Sequence, residues 1–203
     1  MILLTLGSTF CFMNKDELRK IYLKKRLALA ESEQIKFSQK ICDLFFNSVD
    51  LSKIKVLHIY LPIKSKGEPN TWLIIDRIQR EFPEIRLVIP RVNGAVMENI
   101  FFEGPDHLEG TKWGMVEPKD GAHVDPLKID LVITPLLVID NQGHRIGYGK
   151  GFYDRFLKSC RPDCIKIGVS YFDPEPGIEE KSNHDVLLNA CITPKEYLVF
   201  SSY

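Results

Sequence analysis

The chain has 203 residues, of which 44% are hydrophobic and 10% aromatic; this supports one well-packed domain and excludes a disordered protein. Lysine plus arginine equals aspartate plus glutamate at 27 each, so no overall field attracts the chain to nucleic acid or to an anionic membrane. Any cationic binding site must therefore be local.

The first thirteen residues form an apolar segment that is too short to span a bilayer, has no basic start and offers no small-residue cleavage site. We interpret residues 1–13 as a poorly ordered N-terminal extension, with Met13 as an alternative start, and residues 14–203 as the functional domain. No later apolar run is long enough for a transmembrane helix. The five cysteines lack zinc-type or C-x-x-C spacing, so we expect reduced thiols in a soluble, cytoplasmic protein.

The first predicted helix starts at Asn14, a good capping residue, and carries two acidic residues in its first turn. Lys15, Arg19 and Arg26 fall on one face of this helix, where like charges four residues apart are mildly destabilising. A solvated basic face is one interpretation. The other is that a bound anion offsets the repulsion.

The remaining periodic segments predict alternating helices and strands. Helices are predicted over residues 32–47 and 70–80, and strands over residues 56–61, 87–89, 97–102 and 165–170. The first of these helices is assigned only to packing, Asn70 can cap the second, and Pro90 ends the second strand. A strand, a helix and a strand at this spacing predict a right-handed parallel crossover.

Three loop residues are candidates for ligand binding, each with an ordinary alternative. Glu68 follows the first strand, where a carboxylate is usually solvated. Trp113 lies among glycines and a proline, where a large ring is either a plug over the core or a ligand platform. Asp185 follows a histidine, and in isolation it is interpreted as a loop cap.

The strongest pattern lies in residues 130–157. An apolar run broken by Pro135 is followed by four glycines interleaved with charged and aromatic residues, and then by an amphipathic pattern. This order predicts a strand, a glycine-rich loop and a helix. Glycines let backbone N–H groups approach a ligand, the helix start adds partial positive charge, and Arg145 and Lys150 add whole charges. The pattern favours a phosphate chain as ligand.

Two common phosphate motifs are absent from this stretch. A Walker A loop needs Ser or Thr after its Gly-Lys pair, and Gly151 follows Lys150 here. A dinucleotide fingerprint separates its last glycines by two residues, whereas Gly149 and Gly151 are separated by one. Asp154 beside a phosphate chain would be repelled unless a cation such as Mg²⁺ lay between them. Its alternative role is to complement the positive end of the helix.

The whole stretch resembles the signature of the 5-formyltetrahydrofolate cyclo-ligase family, also called 5,10-methenyltetrahydrofolate synthetase. That signature runs from an aspartate, through a glycine and a basic residue, into G-x-G-x-G-[YF]-Y-D. The matching residues are Asp140, Gly143, Arg145, Gly147, Gly149, Gly151, Phe152, Tyr153 and Asp154. The chain differs from the family pattern at Tyr148, where some relatives have a basic residue, and at Asn189, where a second aspartate is common.

The resemblance implies an enzyme that converts 5-formyltetrahydrofolate and ATP to 5,10-methenyltetrahydrofolate, ADP and phosphate, with Mg²⁺. The formyl oxygen would attack the γ-phosphate, and N10 would then close the ring as phosphate departs. We expect a monomer whose partners are these small molecules. For the fold, we expect a single-domain α/β layered sandwich with a mostly parallel central sheet flanked by helices.

The resemblance also implies a role for each matching residue. Arg145 and Lys150 would be the catalytic cations, and Asp154 and Asp185 would bind the metal. Glu68, Trp113 and Tyr153 would bind the folate. The implied ATP-binding residues are Lys15, Arg19, Arg145, Ile146, Gly147, Tyr148, Gly149, Lys150, Gly151, Phe152 and Tyr153.

Two other classes of function remain open at this point, because a fold does not fix a function. One is a non-catalytic protein that senses a phosphate ligand. The other is a sugar-phosphate isomerase or a CoA-transferase-like enzyme, which would need a glutamate base or nucleophile but no metal-binding carboxylate. Formation of methenyl-folate with and without ATP and Mg²⁺ distinguishes the three.

Overall fold

The computed structural model describes residues 14–111, 116–180 and 182–200. Its helices are α1 (Lys15–Leu27), α2 (Glu31–Ser48), α3 (Trp72–Glu81) and α4 (Phe152–Ser159). Its strands are β1 (Val56–Ile59), β2 (Arg86–Asn93), β3 (Val96–Phe101), β4 (Leu108–Gly110), β5 (Val116–Pro118), β6 (Leu131–Pro135), β7 (Val138–Ile139), β8 (Arg145–Ile146), β9 (Ile165–Val169), β10 (Ala190–Ile192) and β11 (Tyr197–Val199). Short 3₁₀ turns lie at Lys64–Lys66, Pro105–His107 and Pro126–Lys128.

Seven strands form one central sheet in the order β11-β10-β9-β6-β1-β2-β3. The five inner strands are mutually parallel, and the two edge strands β11 and β3 are antiparallel to their neighbours. The predicted parallel arrangement of β1, α3 and β2 is confirmed. The pairs β4–β5 and β7–β8 form separate two-stranded ribbons.

Helices cover both faces of the sheet, which confirms the predicted α/β layered sandwich. On one face, α2 and α3 bury Phe45, Ile75 and Ile78 against the strands. On the other face, α4 buries Phe156 and Leu157. This burial of apolar side chains on both faces is typical of parallel sheets and provides most of the stabilisation.

The first helix packs outside these layers, against the ribbon β7–β8. It starts as predicted at Asn14, whose side chain accepts a hydrogen bond from the Glu17 backbone while Glu17 bonds back to the Asn14 backbone. This reciprocal arrangement satisfies two free N–H groups of the helix start. Leu18 and Tyr22 face the ribbon and are buried there.

Two features differ from the sequence-based prediction. The strand expected to end at Pro90 continues to Asn93, because β2 pairs with β3 over its whole second half. Pairing with β1 stops at Val88, so Pro90 lies where β2 has only one neighbour, a position that tolerates a missing N–H. Second, the chain does not pass directly from the buried strand β6 into the glycine-rich loop. It first forms the ribbon β7–β8, which comes between them in the sequence.

Within the described ranges, no helix has the length and apolar content needed to cross a membrane. Cys42, Cys160, Cys164 and Cys191 are unpaired and buried, which agrees with the predicted reduced thiols. Cys11 and the proposed extension 1–13 lie outside the described residues.

Candidate active site

The glycine-rich loop joins β8 to α4. Its Tyr148 hydroxyl and the carbonyl of Leu136, the residue after β6, both bond to the guanidinium of Arg26. The loop therefore lies at the carboxyl end of β6, the usual location of ligands in open parallel sheets. Gly149 has a φ of 90°, and a Cβ placed there would lie 3.3 Å from Cζ of Arg19. The left-handed backbone favours glycine here, and the absence of a side chain lets the guanidinium of Arg19 pack closely against the loop. Gly151, with a φ of 67°, is the N-cap of α4.

Two cations from the basic face of α1 contact this region. The Nε atom of Arg19 donates to the carbonyl of Gly147 at 3.1 Å, and its guanidinium also pairs with Asp16. The Nζ atom of Lys15 lies 2.7 Å from Oδ2 of Asp185. Helix α1 thus contacts the glycine-rich loop through Arg19, and through Lys15 it contacts the segment that contains Asp185.

Arg145, on β8 just before the loop, forms a buried ion pair with Asp154. Its Nη2 atom donates to Oδ1 of Asp154 at 2.8 Å, its Nη1 atom donates to the Val186 carbonyl, and only 4% of the side chain is exposed. Burial lowers the pKa of Arg145, while the charges of Asp154 and Asp185 raise it. One predicted phosphate cation is therefore already paired with one predicted metal ligand.

Lys150 is different, because it is exposed and its ammonium has no hydrogen bond or ion pair with any residue of the described ranges. Of the other predicted loop residues, Ile146 is buried beneath α1, and Phe152 lines a cleft beside α4. An exposed cation at the tip of a glycine-rich loop is well suited to an anionic ligand. Lys150 therefore provides the accessible charge of this loop.

The two predicted metal ligands approach the same guanidinium. Asp154 contacts Arg145 directly and accepts from the Val186 backbone at 3.3 Å, and Asp185 precedes Val186 in the chain. No group of three or more His, Cys, Asp or Glu residues that could hold a metal ion occurs in the described parts of the chain. Mg²⁺ commonly uses only one or two carboxylates together with phosphate oxygens and water. Asp154 and Asp185 are therefore a donor set that fits Mg²⁺ bound together with a phosphate.

Glu68 is buried beside the loop and not solvated. Its Oε2 atom accepts from the Ile63 backbone at 2.7 Å, and its Oε1 atom accepts from the Tyr148 hydroxyl at 2.7 Å. Burial raises the pKa of Glu68, while the Ile63 N–H, the Tyr148 hydroxyl and the charge of Arg26 lower it. Glu68 is 7% exposed, so its carboxylate is fixed in position by its neighbours.

Arg26 belongs to the same network and was not predicted as a site residue. It is 2% exposed, donates to the Lys66 carbonyl at 2.9 Å and to the Leu136 carbonyl at 3.0 Å, and also donates to the Tyr148 hydroxyl. Arg26, Tyr148 and Glu68 therefore form a chain of hydrogen bonds from α1, through the loop, to the end of β1. The only sequence signal for these contacts of Arg26 was its position on the basic face of α1.

Tyr153 lies between α4 and the sheet. Its ring contacts those of His58 and Phe156, with centroids 5.9 Å and 6.1 Å away. Its hydroxyl and both ring nitrogens of His58 are buried without a hydrogen-bond partner in the described residues. Burial lowers the pKa of His58 to about 3, so this imidazole is neutral near pH 7. Sequence reasoning missed His58, since one polar residue in an apolar strand gives little signal.

Two further predicted features have simple outcomes. Trp113 lies outside the described residues. Asn189, which replaces a second aspartate of the family pattern, accepts from the Lys166 backbone at 2.8 Å and so helps to join β9 to β10.

Comparisons with known proteins identify the family of this chain. Residues 12–171 match the family described as the 5-formyltetrahydrofolate cyclo-ligase family. A protein named 5-formyltetrahydrofolate cyclo-ligase from Mycoplasma genitalium is 29% identical over 164 residues, covering 78% of this chain and 86% of that protein.

Two solved structures share the fold. The NMR structure of 5,10-methenyltetrahydrofolate synthetase from Aquifex aeolicus has a TM-score of 0.81 and 30% identity, covering 94% of this chain and 95% of that chain. The synthetase from Mycoplasma pneumoniae has a TM-score of 0.69 and 28% identity, covering 89% of this chain and 98% of that chain. With the family match over most of its length, this chain belongs to the 5-formyltetrahydrofolate cyclo-ligase family.

Proposed function

We propose how the described residues serve the 5-formyltetrahydrofolate cyclo-ligase activity of this chain. The formyl oxygen of 5-formyltetrahydrofolate attacks the γ-phosphorus of ATP, and the bond to ADP breaks. The N10 lone pair then attacks the activated formyl carbon, the carbon–oxygen bond breaks, and phosphate leaves with the former formyl oxygen. N10 loses its proton, giving 5,10-methenyltetrahydrofolate. Such a reaction needs positioning and neutralised charge more than a nucleophilic side chain.

In this proposal, the triphosphate lies along the loop from Ile146 to Tyr153. Lys150 contacts the transferred phosphate, because it is the exposed loop cation without a partner in the described ranges. Arg19 and Lys15 approach from α1. Arg145 adds its charge from behind the loop, where Asp154 partly neutralises it. Lys150 therefore makes the larger contribution to the chemical step.

Asp154 and Asp185 would hold Mg²⁺ together with the phosphate oxygens. In the structure, each carboxylate pairs with a cation that the proposal assigns to the phosphates: Asp154 with Arg145, and Asp185 with Lys15. When ATP and Mg²⁺ bind together, the carboxylates would bind Mg²⁺ and the cations would bind phosphate. This exchange of partners changes the net charge of the site little. A bound Mg²⁺ would neutralise charge on the phosphate oxygens.

Glu68 would bind the pterin ring, and Tyr153 and Trp113 would complete the folate site. A carboxylate suits the pterin because it accepts paired N–H donors from the ring amine and amide. The observation that carries this assignment is the buried Glu68 carboxylate, joined through Tyr148 to the glycine-rich loop. This contact brings the proposed folate and phosphate sites together.

The direct test is methenyl-folate absorbance after mixing the protein with 5-formyltetrahydrofolate, ATP and Mg²⁺. We expect product only when all three are present, and no product after omission of ATP or addition of a chelator. Product formation without ATP would contradict the proposal. Size measurement in solution and localisation of the tagged protein would test the further expectations of a monomer and a cytoplasmic location. Expression of residues 14–203 alone would test whether they suffice for activity.

A further inference from the structure

A cleft of about 700 Å³ lies between α4 and the hairpin formed by β2 and β3. Its volume is within the range of small-molecule sites. Its apolar walls are formed by residues from the hairpin, the turn before β6 and α4, including Val96, Met97, Pro126, Phe152 and Phe156. We propose that this cleft binds the p-aminobenzoyl-glutamate portion of the folate, with Arg155 facing its carboxylates. The inference rests on the proposed folate-dependent function.

The cleft contains an unpartnered polar group. Asn99, on β3, lines the cleft and is 5% exposed, and its Oδ1 atom has no hydrogen-bond partner in the described residues. A buried acceptor without a donor is unfavourable, because it loses its hydrogen bonds to water and gains none in the protein. The amide that joins the benzoyl group to glutamate carries an N–H donor, which suits this acceptor.

The charge at the cleft also suits the glutamate. Arg155 spans the cleft, donating to the Lys150 carbonyl at 3.1 Å and to the Ala95 carbonyl at 3.2 Å. These contacts fix the guanidinium but do not neutralise it, and no carboxylate of the described residues pairs with it. Arg155 also lies 5.2 Å from the ring of Phe152. A cation beside an aromatic wall matches a benzoyl group that ends in carboxylates.

The cleft is continuous with the proposed pterin site. Phe156 lines the cleft and contacts Tyr153. Tyr153 in turn contacts His58 on β1, the strand that precedes Glu68 in the chain, so Tyr153 lies between the cleft and the strand that leads to Glu68. One folate molecule could therefore place its pterin near Glu68 and its tail in the cleft.

An adenosine group is the other candidate occupant, and the distribution of charge disfavours it. Lys150 also lines the cleft, but the proposed function assigns it to the phosphates of ATP, whereas Arg155 lies within α4 and has no such role. Adenosine carries no further negative group for Arg155 to bind. A glutamate tail carries at least two carboxylates, and each added glutamate supplies another.

The test uses Val96, which lines the cleft and is 62% exposed, so that substitution leaves the core unchanged. We would measure KM for 5-formyltetrahydrofolate with one and with three glutamates, and KM for ATP. Val96→Glu should raise KM for the triglutamate about two- to fivefold, Val96→Lys should lower it by a similar factor, and Val96→Gln should have little effect. The changes should be smaller for the monoglutamate.

Val199 provides the matched control, because it is also an exposed valine, on β11 at the opposite edge of the sheet. Val199→Glu and Val199→Lys should leave all three KM values unchanged. The tail site would be overturned if charge at position 96 shifted KM for ATP instead, or shifted none of the three in an active enzyme.

A binding titration separates this inference from the proposed function, because it needs no catalysis. The probe is p-aminobenzoyl-triglutamate, which has no pterin. It should bind the unmodified protein and bind Val96→Glu more weakly. Binding without ATP-dependent methenyl formation would overturn the proposed function but support an aryl-glutamate site. Product formation with no binding of the probe, even at concentrations far above KM for the triglutamate, would overturn the tail site alone.

Discussion

The charged residues of the site neutralise one another in pairs: Arg145 with Asp154, and Lys15 with Asp185. The sequence indicated these residues by type and by their resemblance to a family signature. The sequence could not indicate which cation pairs with which carboxylate. The paired residues come from α1, β8, α4 and the segment after residue 181, and these approach one another only in the folded chain. Lys150, which the sequence also indicated, remains accessible in the structure.

Glu68→Gln tests the pterin site. Loss of the negative charge should raise KM for 5-formyltetrahydrofolate about 10- to 100-fold while KM for ATP changes little, because a charge-assisted hydrogen bond contributes about 1.5–3 kcal/mol. Steady-state kinetics measure both constants. The control is Glu103→Gln, an exposed carboxylate, which should leave both constants unchanged. An equal rise in KM for ATP would show that Glu68 does not act on the folate alone.

Tyr148→Phe tests the hydrogen bond that supports Glu68. Because burial raises the pKa of Glu68, folate affinity should fall as pH drops through this raised pKa and the carboxylate becomes protonated. The Tyr148 hydroxyl opposes the rise, so its removal should move the loss of affinity to higher pH. The measurement is the pH profile of 1/KM for the folate between about pH 4.5 and 8. A profile that is unchanged, or displaced to lower pH, would contradict this account.

At the scale of elements, the site depends on how α1 and α4 are held. The basic face of α1 was predictable from spacing, but the burial of Arg26 was not, because a fully buried arginine is rare. Its guanidinium bonds to carbonyls of the Lys64–Lys66 turn and of Leu136. The ribbon β7–β8 was also not predicted, because strands of two residues are too short to show hydrophobic alternation.

Asp154→Asn tests the ion pair that joins α4 to β8. The substitution leaves the buried Arg145 without its carboxylate, so unfolding free energy should fall by about 1–3 kcal/mol in a denaturant titration. The control is Asp163→Asn, whose pair with Arg161 is at the surface and should contribute less than about 0.5 kcal/mol. Equal effects of the two variants would contradict the structural role. In kinetics, Asp154→Asn should also raise the Mg²⁺ concentration needed for half-maximal rate.

At the scale of the whole molecule, local patterns were sufficient to predict the α/β class, the parallel β1–α3–β2 unit and most element positions. They did not predict the order of strands in the sheet, in which β6 lies between β1 and β9. Strand order depends on contacts between distant segments, and hydrophobic periodicity carries no information about it. The cleft beside α4 was missed for the same reason, because its walls come from three separate parts of the chain.

The buried imidazole of His58 should make global stability depend on pH. Burial lowers its pKa from 6.5 to about 3, so the unfolded chain binds a proton that the folded chain excludes. Stability from this residue is therefore present above the unfolded pKa and is lost as pH falls below it, by at most about 1.4 kcal/mol per pH unit. His58→Leu should reduce this slope in denaturant titrations. An unchanged slope in His58→Leu would contradict this role of the buried imidazole.

The central claim is that the phosphates of ATP lie on the glycine-rich loop beside Lys150. Its most direct measurement is kcat/KM for ATP in Lys150→Ala, compared with Lys53→Ala at an exposed lysine outside the site. We predict a fall of about 10- to 100-fold for Lys150→Ala with unchanged thermal stability, and no change for Lys53→Ala. Equal kcat/KM values in the two variants would contradict the account.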